Sequence, residues 1–114
     1  MNQEKDTMEK LTGGQRRHLR GLAHHLKPVV MVGKGGLTEA VLAGLDKALA
    51  DHELVKVKFL EYKDQKEELA GRIEEALSCE QVGRVGHVVI FYRLQPDPKK
   101  RKINFPGRNS EGTS

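Results

Sequence analysis

Leu26-Lys27-Pro28-Val29-Val30-Met31-Val32-Gly33-Lys34-Gly35-Gly36-Leu37-Thr38 is the stretch on which the fold turns. Pro28 cannot continue a helix, so any helix before it must stop. Val29 to Val32 is an unbroken apolar run, as in a short strand covered on both faces. The glycines that follow free the backbone to turn. Thr38 then offers a hydroxyl to cap a new helix. Strand, glycine loop and helix in series are the opening half of a crossover unit, which places the chain in the α/β class.

Working outward, Leu19, Leu22, Ala23 and Leu26 recur at helical spacing and predict a first helix over Gly13 to His25, with Thr12 as its N-cap. Beyond the loop, Val41, Leu42, Leu45, Ala48 and Leu49 predict a second helix ending near Asp51. Val55-Lys56-Val57-Lys58-Phe59 alternates, giving a strand with one apolar and one basic face and placing Phe59 in the core. Asp64-Gln65-Lys66-Glu67 has the form of a capping box opening a third helix, with Leu69, Ile73, Ala76 and Leu77 inward. Gln81 to Val85 is a weaker strand, Gly86 a turn, and Val88 to Tyr92 a strong last strand that buries Phe91. The order α-β-α-β-α-β-β predicts a two-layer α/β domain with a four-stranded mixed sheet, its first two strands joined by a right-handed crossover. The domain is expected over residues 11–103, with mobile tails at 1–10 and 104–114, where no burial pattern exists.

With 114 residues, 32% of them charged, the chain suits one small polar-surfaced domain. The longest apolar run is Val88 to Tyr92, far below the ~20 residues of a membrane span, and the N-terminus is polar, so no membrane partner and a cytoplasmic location are expected. Its single cysteine, Cys79, makes neither a disulfide nor a zinc knuckle. The net charge of +4 conceals a pattern: residues 1–58 carry +3, residues 59–92 carry −3, and residues 93–114 carry +4. From Lys10 through Thr38 there is no acid at all, and Lys99-Lys100-Arg101-Lys102 forms a second basic cluster. That asymmetry predicts one basic and one acidic side.

The acid-free window encloses Gly33-Lys34-Gly35-Gly36. Such a loop at a helix N-terminus presents N–H groups and the positive end of the helix dipole, which suits an anion, and Lys34 adds a charge. Glu39 in the first turn would push a phosphate toward the Lys34 side. A triphosphate loop needs GxxxxGK[ST], which is absent. A dinucleotide fingerprint needs a third glycine where Thr38 stands, and the chain is too short for a full doubly wound domain. What remains is a GxxG clamp on a nucleic-acid backbone, or a plain strand-to-helix turn.

Around the loop, Arg16, Arg17, Arg20 and Lys27 on or after the first helix, Lys56 and Lys58 on one strand face, and Arg93 after the last strand form a candidate phosphate track. Catalysis has no visible basis. Cys79 stands among acids, His24, His25 and His87 lack ligand spacing, and Glu67, Glu68, Glu74 and Glu75 fall on outer helix faces, so neither a catalytic group, a metal nor another cofactor is expected. The acid-rich third helix supports an alternative, a protein-interaction adaptor that docks through Glu67, Glu68 and Glu74.

The blocks Leu19-Arg20-Gly21-Leu22-Ala23-His24, Leu26 through Thr38, His52 through Lys58, Val88 through Arg93, and Arg101-Lys102-Ile103 together resemble the YhbY-like CRM domain family, over about Leu11 to Pro106. The resemblance implies a compact α/β fold similar to the C-terminal domain of translation initiation factor three. It implies RNA binding, with the GxxG loop, here Gly33, Lys34, Gly35 and Gly36, as a main contact. Stand-alone bacterial members are associated with precursor large ribosomal subunits, which would make ribosomal RNA the partner of a monomeric, non-enzymatic protein, and a ribosomal protein or assembly factor the partner in the adaptor alternative.

Overall fold

The computed structural model describes residues 11–105. A four-stranded mixed sheet with the order β1-β2-β4-β3 carries three helices. Helix α1 spans Gly13–Ala23, and its start is the expected one. The Thr12 hydroxyl accepts from the Gln15 N–H, and the Gln15 carboxamide accepts from the Thr12 N–H, both at 3.0 Å. The helix ends two residues earlier than its periodicity suggests, because the approach to Pro28 tightens the chain into a turn in which Leu26 N–H donates to the Ala23 carbonyl.

Strand β1, Val30–Val32, lies at the sheet edge and pairs in parallel with β2, Leu54–Phe59. Only Val32 is buried, and Met31 is 46% exposed, so the expectation of cover on both faces fails. The apolar run is edge strand, not sheet interior. Between these strands runs α2, Glu39–His52, whose Thr38 cap accepts from Val41 N–H at 3.1 Å. After β2, a 3-10 turn at Lys63–Gln65 leads into α3, Lys66–Leu77. The expected capping box does not form: Gln65 sits at the N-cap and makes no side-chain bond, and Asp64 is taken into the 3-10 turn. The hairpin of β3, Glu80–Val85, and β4, Val88–Tyr92, closes the sheet, with a register shift between Gln81 and Gly83.

Alternation along β2 and β4 divides the core in two. Val55, Val57, Phe59, Val89 and Phe91 face Leu45 and Leu49 of α2 and Ala70 and Ile73 of α3. Leu54, Ile90, Tyr92 and Val82 face Leu19 and Ala23 of α1. Helices therefore cover both faces of the expected mixed sheet, so the expected pair of layers gains a third. The chain beyond β4 completes the α1 side. Phe105 is buried there, edge-on to Tyr92 at a centroid distance of 5.9 Å, and Nε2 of His18 lies 3.0 Å from the Asn104 carbonyl oxygen. The ordered packing thus runs past residue 103, and Asn104 and Phe105 belong to the domain, not to the tail expected from 104. The expected tail at 1–10 and the remainder of the C-terminal one lie outside the described residues.

One buried carboxylate organises this return. Glu53, between α2 and β2, accepts from Lys102 N–H at 2.8 Å, Ile103 N–H at 3.1 Å and Gln95 N–H at 3.0 Å. Three donors offset the cost of taking a carboxylate out of water.

Candidate nucleic-acid interface

The Gly33–Gly36 loop is built as a turn: Gly36 N–H donates to the Gly33 carbonyl, and Thr38 N–H to the Gly36 carbonyl, each at 3.0 Å. Gly36 has φ +73, a conformation that disfavours any side chain. The segment after β2 braces the loop from one side. Leu60 and Glu61 N–H donate to the Val32 carbonyl at 2.9 and 3.2 Å, and the Tyr62 hydroxyl donates to the Lys34 carbonyl at 2.6 Å. Tyr62 itself takes a left-handed conformation at φ 59 to reach it. The backbone of Lys34 is therefore fixed while its ammonium group is exposed beside the start of α2.

Sheet topology gathers further cations at this end. Lys58 pairs with Met31 on β1 and with Val88 on β4. Lys63 and Lys66 follow on the bracing segment. The Lys66 ammonium donates to the Gly86 carbonyl at 3.2 Å and to Nδ1 of His87 at 2.9 Å, which leaves the His87 ring proton on Nε2. His87 titrates below the ordinary histidine range, first through loss of solvation and then through the charges of Lys66, Lys63 and Lys58, with Asp64 opposing. Glu61 and Asp64 are the acids interleaved with these cations.

The structure keeps Gly33, Lys34, Gly35, Gly36 and Lys58 together and sends the other expected residues elsewhere. Lys56 and Lys27 stand toward the opposite end of the sheet, where the Lys56 ammonium donates to the Leu26 carbonyl at 2.9 Å. Arg17 is exposed on α1. Arg16 ion-pairs with Glu80 and donates to the Gln81 carbonyl at 2.8 Å. Arg20 donates to the Val82 carbonyl at 3.0 Å and lies so close over Gly83 that a Cβ there would be 2.5 Å from its Cδ. These two arginines hold α1 to the β3 edge. Arg93 bonds Asp46 Oδ1 at 2.7 Å and the Leu77 carbonyl at 3.0 Å, tying α2 to the end of α3. The guanidinium groups of Arg16, Arg20 and Arg93 each have carbonyl or carboxylate partners within the fold, unlike Lys34.

Sequence reasoning missed Lys63, Lys66 and His87, since only the β3–β4 turn brings His87 against α3. It also passed over Glu53, which stands in sequence like any acid beside a strand. On α3, Glu74 accepts from Gln81 N–H at 2.8 Å and Glu67 pairs with Arg84 at 3.3 Å. The adaptor reading thereby loses two of its three free acids. Burial, reinforced by Glu74, pushes the Cys79 thiol up to about 12, so it carries no thiolate near neutrality. Among the described residues no helix is long and apolar enough to cross a membrane, and no group of three His, Cys, Asp or Glu could hold a metal ion.

The geometry has counterparts in known proteins. The CRS1/YhbY (CRM) domain model matches residues 11–93. The chain is 42% identical over 93 residues to a protein of Haemophilus influenzae named RNA-binding protein, covering 81% of this chain and 94% of that one. It is 40% identical over 96 residues to a probable RNA-binding protein of Pseudomonas aeruginosa, covering 83% and 92%. Its fold is similar to the solution structure of a Staphylococcus aureus protein described as a candidate RNA binder, with a TM-score of 0.70 and 38% identity over 83% of this chain and 100% of that one.

Proposed function

This chain belongs to the CRS1/YhbY (CRM) domain family, and from that premise we propose that it is a non-catalytic RNA-binding protein whose partner is ribosomal RNA in precursor large ribosomal subunits. The relatives named for RNA binding support the polymer. The family's association with large-subunit assembly supports the particle. The observation that carries the mechanism is the braced loop, with a fixed backbone and an exposed ammonium that no described residue engages. RNA phosphate approaches the glycines, which have no Cβ to obstruct it, and meets the N-terminus of α2. Lys34 neutralises it, and Lys58, Lys63 and His87 extend the contact along the strand ends. The acid-rich α3 stays off the RNA and orients the encounter. The protein works as a cytoplasmic monomer.

Sedimentation of cell extracts tests the particle: the protein should travel with large-subunit precursors, and Lys34→Glu should release it. Crosslinked RNA confined to messenger fragments would refute the ribosomal assignment.

A further inference from the structure

Helix α1 covers β3, β4 and only the start of β2, leaving the β1 side of that sheet face open. The uncovered strip carries Met31 of β1 beside Lys58 and Lys56 of β2, because paired residues point to one face. It ends in a groove of about 490 Å³ lined by Leu22 of α1, by Leu26 and Val29 of the segment after that helix, and by Ile103. Lys27, Lys56, Lys102 and His52 stand in its lining, and among the described residues no carboxylate does. Its Lys102–Ile103 side is fixed, since Glu53 holds the backbone of both residues. Leu22 and Leu26 are 39% exposed and Val29 57%, so this apolar surface is open to solvent.

We propose that this groove receives an unstacked base of a single-stranded RNA segment whose backbone begins at the Gly33–Gly36 loop and crosses the open β1–β2 strip. Charge complementarity selects the occupant: an apolar floor ringed by ammonium groups accepts a base with phosphates on either side. Continuity selects the same one, since Lys58 and Lys56 join the groove to the loop. The length of β2 from Phe59 to Leu54 is about 17 Å at ~3.3 Å per residue, a span that a short extended single strand bridges. Apart from the His52 imidazole the apolar lining is aliphatic, so the groove accepts a base mainly by apolar contact and not on an aromatic platform. A base held in a duplex cannot enter. The inference rests on the RNA-binding reading above and adds to it the strandedness and the second contact.

The test uses the full chain with two fluorescein-labelled probes, a nine-nucleotide oligouridylate and a twelve-base-pair RNA duplex. Leu26→Ser removes apolar wall without adding charge, and Val29→Asp places a carboxylate among the lysines. Circular dichroism confirms that each folds. Each should weaken the single strand about tenfold and the duplex far less, whereas Lys34→Glu weakens both. In the wild-type protein, 4-thiouridine in the oligonucleotide should crosslink within residues 22–29 or 102–103. If both groove variants keep single-strand affinity while Lys34→Glu loses it, the groove is off the RNA path and the loop reading stands. Crosslinks confined to the loop, equal losses on both probes, or binding to duplex alone also overturn the groove. If Lys34→Glu changes neither probe, the loop reading itself falls. An acidic amphipathic peptide displacing nothing from RNA yet protecting the groove would assign it to a protein partner instead.

Discussion

The hydroxyl of Tyr62 donates a 2.6 Å hydrogen bond to the carbonyl oxygen of Lys34, joining the glycine loop to the segment that follows β2. The bond orients a residue without touching its charge. Tyr62→Phe removes the donor and keeps the ring, including its edge near Gly36. A neutral hydrogen bond contributes about 1 kcal/mol, so RNA affinity should fall by at most about fivefold. Amide exchange at Lys34 and Gly35 should rise by a similar factor. Unchanged exchange would show that the loop holds its shape without Tyr62.

Lys34 is the simplest electrostatic probe of the interface, because its side chain makes no bond to any of the described residues. On single-stranded RNA each neutralised phosphate contributes about 0.7 to the slope of log K against log salt, so about five contacts give a slope near −3.5. Lys34→Gln should flatten that slope by about 0.7. Arg93→Gln should instead leave the slope unaltered and lower stability, since Arg93 is spent on Asp46 and Leu77. A salt titration by fluorescence anisotropy separates the two outcomes.

That contrast shows where sequence stops being informative. The alternation of Val55 through Phe59 and the capping threonines at 12 and 38 depend on neighbours within a few residues, so the helices, strands and core aromatics were legible. The glycine loop was legible for the same reason. Whether a cation is free is decided across the fold. Arg16 and Glu80 are 64 residues apart, and Arg93 meets Asp46 from 47 away. In sequence these arginines and Lys34 look alike. The return of the chain after β4 was equally hidden, because Glu53, which holds Lys102 and Ile103, stands 49 and 50 residues before them.

Glu53 combines a left-handed backbone, φ 67, with a buried carboxylate bonded to three N–H groups. Glu53→Ala should strand those donors and keep the backbone strain, lowering unfolding free energy by about 3 kcal/mol or more. Glu53→Gly loses the same bonds but relieves the strain, so it should be less damaging by about 1 kcal/mol. Urea denaturation ranks the pair. Limited proteolysis should cut both variants between residues 95 and 103 ahead of the rest of the domain. Equal stability of the two would deny that the backbone at 53 is strained.

His87 reports on the cation cluster from inside it. Its pKa lies below the ordinary value, partly because Lys66 and Lys63 disfavour a further positive charge. A histidine with a depressed folded-state pKa binds fewer protons folded than unfolded. Its contribution to stability is therefore complete above the unfolded pKa of about 6.5 and declines as pH falls through that value. RNA reverses the local field. A phosphate placed among Lys34, Lys58 and Lys63 favours the imidazolium, so the His87 pKa should rise in the complex and binding should take up a proton. By linkage, affinity must then increase as pH drops from 7.5 to 5.5. His87→Gln should remove most of that pH dependence while leaving affinity at pH 8 within about twofold. Imidazole proton shifts followed by NMR across the same range give both pKa values directly. An unmoved His87 titration on RNA addition would place the phosphate away from the β3–β4 turn and confine the contact to the glycine loop.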